Sequence, residues 1–408
     1  MPTRRARIDL LSSKSFADGH PVEQYRWLRE NAPVYWHDEP EGPGFWAVTG
    51  YDLVRQVSKQ PEVYSMAEAA GRIHDFPPEE LAFLLTMMLF MDPPKHSFYR
   101  RLVGGLFTPK RAALWRDSIR DSVGSILDEV CDRSECDLVG DVAGKLPSYV
   151  IAELVGIPRA DGVRLYELTE IMHSALDTVS DEQRFAAMRD ITGYAVQVRA
   201  DKLATPADDL ASRLVAAEVD GRRLTEQEFT SFFLLLINAG GDTTRNLIGG
   251  AMVTLLRHPG QLARLRADDG TLMPTAVEEL LRFQSPVTYM RRTAVADAEL
   301  GGVRIAAGDK VVPYYGAANR DPAVFDRPDE LLLDRAPNEH LAFGGGGPHF
   351  CLGAHFARIE ASEMLGQLLR RFGDLELIGE PSWLASEFIS GPTSVPVSYT
   401  ASAPVLTA

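Results

Sequence analysis

The stretch from Thr225 to His258 constrains the fold of this chain more than any other. Thr225-Glu226-Gln227-Glu228 has the form of a capping box, in which the Thr225 hydroxyl and the Glu228 carboxylate satisfy free helix N–H groups. The helix opened there runs through Phe232-Phe233-Leu234-Leu235-Leu236-Ile237 to about Leu256 and stops near His258-Pro259. Its first half is apolar on nearly every side and so should be buried, and at about 1.5 Å per residue it is long enough to cross a whole domain. Other helices are expected from Pro109 to about Asp132, from Leu146 to Val155, between Asp161 and Ala204, from Pro274 to just before Ser285-Pro286, and from about Gly353 to Arg371. Short strands are expected at Pro33 to Asp38, Phe45 to Thr49, Val303 to Ile305 and Lys310 to Tyr314, with turns at Glu41-Gly42-Pro43-Gly44 and Asp220-Gly221. The reading is mainly α with a minor β part.

No linker rich in Ser, Pro or charge interrupts the 408 residues, so one domain spanning 1–408 is expected. Hydrophobic residues at 45% argue against disorder, and a net charge of -15 argues against nucleic acid or an anionic membrane as partner of the whole molecule. Three cysteines, Cys131, Cys136 and Cys351, are too few for a disulfide framework and fit a reducing cytoplasm. Met1 to Ser12 carries three arginines but no sustained apolar stretch, so neither a signal peptide nor an anchor is expected. The most apolar run, Leu81 to Met91, is too short to span a bilayer and reads as the wall of something buried.

The most informative loop is Phe343-Gly344-Gly345-Gly346-Gly347-Pro348-His349-Phe350-Cys351-Leu352-Gly353, followed by a helix carrying Arg358. Four glycines beside a cysteine let backbone approach a flat partner and let several N–H groups point at one acceptor. The helix N-terminus beyond Cys351 favours a thiolate, and Gly353 removes a side chain that would press on a bound macrocycle. The residues alone leave alternatives open. Gly344 to Gly347 could cradle phosphate, although neither dinucleotide spacing nor a following Gly-Lys-Ser/Thr is present. His349, Cys351 and His355 could hold zinc, although a fourth ligand is missing. Cys351 could also be a buried structural thiol.

The loop closely resembles the haem-binding segment of cytochrome P-450 enzymes, Phe-Gly-x-Gly-x-His-x-Cys-x-Gly, with one residue more than the commonest spacing between Phe and Cys. The longer form resembles that of actinobacterial oxidases of sterols and branched lipids. The resemblance implies the cytochrome P-450 fold, a helical bundle around haem b (iron protoporphyrin IX) with small β-sheets. It makes 343–353 the haem-thiolate loop, with Cys351 as the iron ligand and Phe343, Gly344 and Gly353 against the cofactor.

Within the long helix lies Ala239-Gly240-Gly241-Asp242-Thr243-Thr244. A Gly-Gly pair weakens a helix by about 1 kcal/mol per residue relative to Ala, and a buried carboxylate needs a partner or a task. The Thr243 hydroxyl can bond the Ala239 carbonyl and open the helix locally, making room for a diatomic ligand. The alternative is a helix packed closely against a neighbour with Asp242 at its wet edge. The segment resembles the family's Ala-Gly-x-Asp/Glu-Thr pattern. That resemblance implies that Ala239 and Gly240 line the cofactor, that Asp242 and Thr243 relay protons, and that O2 rather than peroxide is the co-substrate.

The resemblance also implies that Glu279 and Arg282, three apart on one helix face, form a buried network completed by Arg335. It places four groups on the haem propionates: His96 and Arg100, Arg292 (preferred to Arg291), and His349. No second cofactor domain follows the cysteine helix, so electrons are expected from a ferredoxin served by an NAD(P)H-dependent ferredoxin reductase. Lys95, Arg101, Lys110, Arg111, Arg116 and Arg358 are expected to form its basic docking face.

An apolar pocket is expected from Met87, Met88, Leu89 and Phe90, from Phe233 and Ile237, from Val287, Thr288, Tyr289 and Met290, and from Phe388 and Ile389. The expected reaction is O2-dependent hydroxylation of a branched fatty acid, isoprenoid or sterol-like lipid in the cytoplasm, with no nucleic acid and no membrane span. The rivals are oxidation of another hydrophobic metabolite, a haem protein that binds without turnover, and a zinc hydrolase.

Overall fold

The long helix forms as its sequence demands. It spans Glu226–Arg257, 32 residues, and both arms of the capping box are made: Thr225 Oγ1 accepts from the Glu228 N–H at 3.3 Å, and Glu228 Oε2 accepts from the Thr225 N–H at 2.9 Å. Residues 8–173 and 179–404 are described in this computed structural model. Arg4, Arg5 and Arg7, and the part of the expected helical region at 174–178, lie outside them.

Helices surround the long one on several sides: Lys145–Val155, Arg159–His173, Asp181–Ala204, Met273–Gln284 and the C-terminal helix Ala354–Arg371. Gly240 and Gly241 explain how closely two of them approach. A Cβ on Gly240 would stand 2.9 Å from Ile151 Cδ1, and one on Gly241 would stand 2.7 Å from the Tyr166 ring. The glycines that weaken the helix thus let its neighbours seat.

The helix expected from Pro109 to Asp132 is instead two, Pro109–Ala113 and Arg116–Asp128. The Leu114 and Trp115 N–H groups bond the carbonyls of Arg111 and Ala112, three residues back rather than four, which tightens and ends the first piece. Asp220 and Gly221 both have positive φ, 55° and 75°, and join two short antiparallel strands as a two-residue hairpin turn.

The main sheet has five strands in the order Val34–His37, Phe45–Val48, Lys310–Pro313, Arg292–Ala294 and Tyr64–Ser65. Only the pairing of Phe45–Val48 with Lys310–Pro313 is parallel. The sheet therefore ties the first sixty-odd residues to the stretch that leads into the cysteine loop. The fold class is the one expected: mainly helical, with small sheets. Among the described residues no helix is long and apolar enough to cross a membrane. The run Leu81 to Met91 is only partly a buried wall: Met87, Met88 and Met91 are buried, whereas Phe83 is exposed.

Candidate active site

The cysteine loop is held at both ends by backbone. The Cys351 N–H bonds the Phe343 carbonyl at 3.0 Å, and the Gly344 N–H bonds the Leu341 carbonyl at 2.9 Å. Cys351 is exposed to solvent. Even so, desolvation by surrounding protein is the largest influence on its thiol and carries its pKa above the ordinary value, as for a sulfur on the wall of a recess. The Gly353 and Ala354 N–H groups at the helix start, with the charges of Arg100 and Arg358, pull the other way. The expected helix-terminus effect is present, but burial outweighs it.

The glycine run has a different task from the one expected of it. A Cβ on Gly345 would lie 2.4 Å from Ser58 Oγ, and one on Gly347, whose φ is 75°, would lie 2.4 Å from the Ser58 carbonyl oxygen. These glycines let the loop lie against the end of helix Tyr51–Lys59. Gly353 does face open space, and Gly344 nearly so, with only the His349 carbonyl at 3.8 Å. At those two positions a side chain's place is left free for a flat group.

His96, Arg100, Arg292 and His349 converge beside this loop. The His96 and His349 rings lie 4.4 Å apart between centroids. Both ring nitrogens of His349 and Nδ1 of His96 are buried without a hydrogen-bond partner. Burial, then the charges of Arg292, His96 and Arg100, lowers the His349 pKa to about 2, and burial followed by Arg100 lowers that of His96 to about 4. Among the described residues no hydrogen bond or ion pair engages the Arg100 guanidinium. Arg292 is buried, donates to the Met290 carbonyl at 2.8 Å, and has its pKa lowered by desolvation. Arg291 turns elsewhere, to Asp75 at 2.5 Å and the Ile73 carbonyl at 2.8 Å.

On the long helix the Thr243 hydroxyl donates to the Ala239 carbonyl at 2.9 Å without interrupting the helix. Asp242 Oδ1 accepts from the Tyr166 hydroxyl at 2.9 Å and lies 3.9 Å from Arg245, which pairs with Glu170 at 2.6 Å. The turn stays within one continuous helix, and its glycine pair seats Ile151 and Tyr166.

The expected pocket divides in two. Phe233 is stacked 6.2 Å from Phe229, and Ile237 and Gly241 border a gap shared with Pro147, Ile151 and Tyr166. This face of the long helix belongs to the core. Thr288 and Tyr289 are fully buried, Tyr289 among Tyr314 and Phe388, and Met87 and Met88 are core residues. Leu89, Phe90, Val287, Met290, Phe388 and Ile389 remain half-buried and able to touch a ligand. Sequence reasoning missed Leu235 and Leu236. They are half-buried, and Leu235 falls on the stripe of Ala239 and Thr243 at successive steps of four, a spacing that was legible.

The charged residues also sort themselves. Glu279 is fully buried and accepts from Arg282 Nε and Nη2 at 2.8 Å each, from Arg335 Nε at 3.0 Å, from the Leu332 N–H at 2.9 Å and from Asn338 at 3.1 Å. The expected basic face is reduced: Arg358 pairs with Glu278 at 2.6 Å, Arg116 with Glu363 at 2.6 Å and Arg101 with Asp220 at 3.2 Å. Only Lys95, Lys110 and Arg111 are exposed with no ion pair among the described residues. No group of three or more His, Cys, Asp or Glu among the described residues could hold a metal ion.

The family pattern of cytochrome P-450 matches residues 159–379. The chain is 42% identical over 385 residues to the methyl-branched lipid omega-hydroxylase of Mycobacterium tuberculosis, covering 91% of this chain and 89% of that one. The chain belongs to the cytochrome P-450 family. This P-450 is also 38% identical over 408 residues to the steroid C26-monooxygenase of Mycolicibacterium smegmatis, covering 98% of both. A Mycobacterium marinum cytochrome P-450 solved with pseudoionone superposes with a TM-score of 0.88 at 37% identity, over 98% of this chain and 100% of that one. The enzyme is a P-450 monooxygenase, using haem b, O2 and electrons derived from NAD(P)H. Its residues fit that cofactor. The orphaned nitrogens of His96 and His349 and the disengaged Arg100 make a cluster of donors that lacks an acceptor, as two carboxylates would supply. The Gly353 N–H bonds the Cys351 sulfur, and the space where a Gly353 side chain would stand is open.

Proposed function

We propose that this P-450, acting as one domain with 343–353 as its haem-thiolate loop, hydroxylates an apolar lipid of the branched fatty acid, isoprenoid or sterol type, with electrons from a ferredoxin and its reductase in the cytoplasm. The observation that carries the site is the convergence of four cationic or donor side chains beside Cys351, with buried ring nitrogens lacking partners. In this reading His96, Arg100, Arg292 and His349 hold the propionates, and Phe343, Gly344 and Gly353 flank the ring. The Cys351 sulfur, as thiolate, would hold the iron and lend it electron density. Haem bound there supplies the reductive activation of O2.

The protein's own contribution is to manage protons and exclude water. The Thr243 hydroxyl, anchored to the Ala239 carbonyl, is placed to hold a proton on the exposed face of the long helix, beside Ala239 and Gly240. The Asp242 carboxylate, held by Tyr166 and Arg245, can carry protons from the outer side of the same turn. Leu235, Leu236, Val287, Met290, Phe388 and Ile389 make the enclosure apolar, which supports a lipid substrate. The named activities of the two actinobacterial relatives support the same class. Lys95, Lys110 and Arg111 remain as the basic docking face for the ferredoxin.

The reduced, carbon-monoxide-bound absorption spectrum tests the ligation: the thiolate band should be present in the parent and lost in Cys351→Ala. A panel of branched fatty acids, isoprenoids and sterols should shift the haem band, and at least one should be hydroxylated with NADH, ferredoxin and reductase. Binding without turnover in that complete system would favour a ligand carrier.

A further inference from the structure

Three segments lie side by side near the half-buried apolar residues: 70–73, 287–291 and 386–390. The Arg291 N–H bonds the Gly71 carbonyl at 2.8 Å, the Thr288 N–H bonds the Phe388 carbonyl at 2.9 Å, and Val287 bridges Ile389. Arg72 spans the outer two. Its guanidinium lies 4.3 Å over the Phe388 ring and meets Glu387 Oε1 at 3.3 Å. Among the described residues that is the guanidinium's only hydrogen bond or ion pair. Its side chain is 37% exposed, so it stands at a rim rather than in the core.

The pairing with Glu387 is loose. The same Oε1 also accepts from the Tyr289 hydroxyl at 3.3 Å, so one oxygen shares two long bonds and the Arg fork is not engaged in the two-pronged geometry that carboxylates favour. Glu387 would keep the Tyr289 bond if Arg72 were taken from it. By contrast, Arg291 next to it is buried and already bonds Asp75, two backbone carbonyls and Thr293 Oγ1. The aliphatic neighbours of Arg72 complete the picture. Gly71 lies against Met290, where a Cβ would come within 3.2 Å of its methyl, and Met290 and Phe388 are half-buried apolar walls.

We propose that Arg72 anchors the head of the substrate: it recognises the carboxylate of an acidic lipid at the rim, displacing Glu387, while the apolar chain runs inward past Met290 and Phe388. Glu387 is the internal stand-in that occupies the fork until the substrate carboxylate arrives. A lipid held by its head presents its far end to the reaction centre, so Arg72 selects both for an acid and for oxidation remote from it. This deepens the proposed function and rests on its lipid reading.

The test is a titration of the haem-loaded enzyme with isopalmitic acid and with its methyl ester, followed by the shift of the haem band. In the parent the acid should bind roughly tenfold more tightly than the ester, the size expected of a partly exposed charged hydrogen bond. Arg72→Gln, which keeps a polar donor but removes the charge, should erase that preference by weakening the acid alone. Glu387→Gln should tighten the acid several-fold and leave the ester unchanged, and added salt should weaken acid binding in the parent but not in Arg72→Gln. Product analysis should show oxidation spreading along the chain in Arg72→Gln. An unchanged acid-to-ester ratio in Arg72→Gln, or equal loss of both ligands, overturns the proposal while leaving the lipid reading intact. If neither compound shifts the parent's band, the fatty-acid form of the lipid reading fails and takes this proposal with it.

Discussion

Thr243 and Glu360 show how differently two polar side chains in helices can behave. The Thr243 hydroxyl has one protein partner, the Ala239 carbonyl, and stands on the less buried face of its helix. Removing it in Thr243→Ala should leave the fold and the substrate-induced spectral shift intact. Product formed per NADH consumed should fall by about tenfold or more, consistent with loss of a positioned proton donor, and product-to-NADH stoichiometry measures it. Glu360 is only 5% exposed, and its Oε2 has no partner. Burial raises its pKa from 4.5 to about 8, so the folded state favours the protonated acid, and stability is lost as pH rises through that interval. Glu360→Gln should therefore raise Tm by several degrees at pH 8 and leave it nearly unchanged at pH 4.5, by thermal unfolding at the two pH values.

Among the elements, the long helix was almost wholly legible, because a capping box, an apolar run and a terminal His-Pro are local signals. Its facing was not. Phe233 and Ile237 looked like pocket residues by character, but rotation about the helix axis is set by the neighbours that fill Gly240 and Gly241, and those neighbours are Ile151 and Tyr166. The cysteine loop repeats the lesson. The chemistry proposed for it rests on residues within the loop, Cys351, His349 and Gly353, whereas two of its glycines pack against Ser58, nearly three hundred positions earlier. Gly347→Ala should cost about 2 kcal/mol or more, from strain at positive φ and a backbone clash. A lower haem-to-protein ratio and a lower Tm in the purified variant would report it.

For the whole molecule, ionic contacts join segments remote in sequence. Glu279 gathers Arg282, Arg335, Asn338 and the Leu332 N–H, so Arg282→Ala would leave a buried charge without its main partner and should destabilise by about 3–5 kcal/mol. Soluble yield and Tm should fall sharply, with any folded fraction still binding haem. Nearby, Glu278 bonds Arg358 of the cysteine helix and His340, and its pKa is lowered from 4.5 to about 2, with hydrogen bonds from Arg358 and His340 overcoming its burial. Its contribution is present at neutral pH and is lost as pH falls from about 4.5 towards 2, worth on the order of 3 kcal/mol. Glu278→Gln should flatten that part of the acid-unfolding profile.

The seat that Ser58 and Lys59 make for the glycine run has a practical corollary for anyone recombining this enzyme with its relatives. A crossover placed between them that brings in a bulkier residue at Gly345 or Gly347 would drive it into Ser58, and the hybrid should hold less cofactor even with every residue proposed to touch it in place. The two blocks should be inherited together.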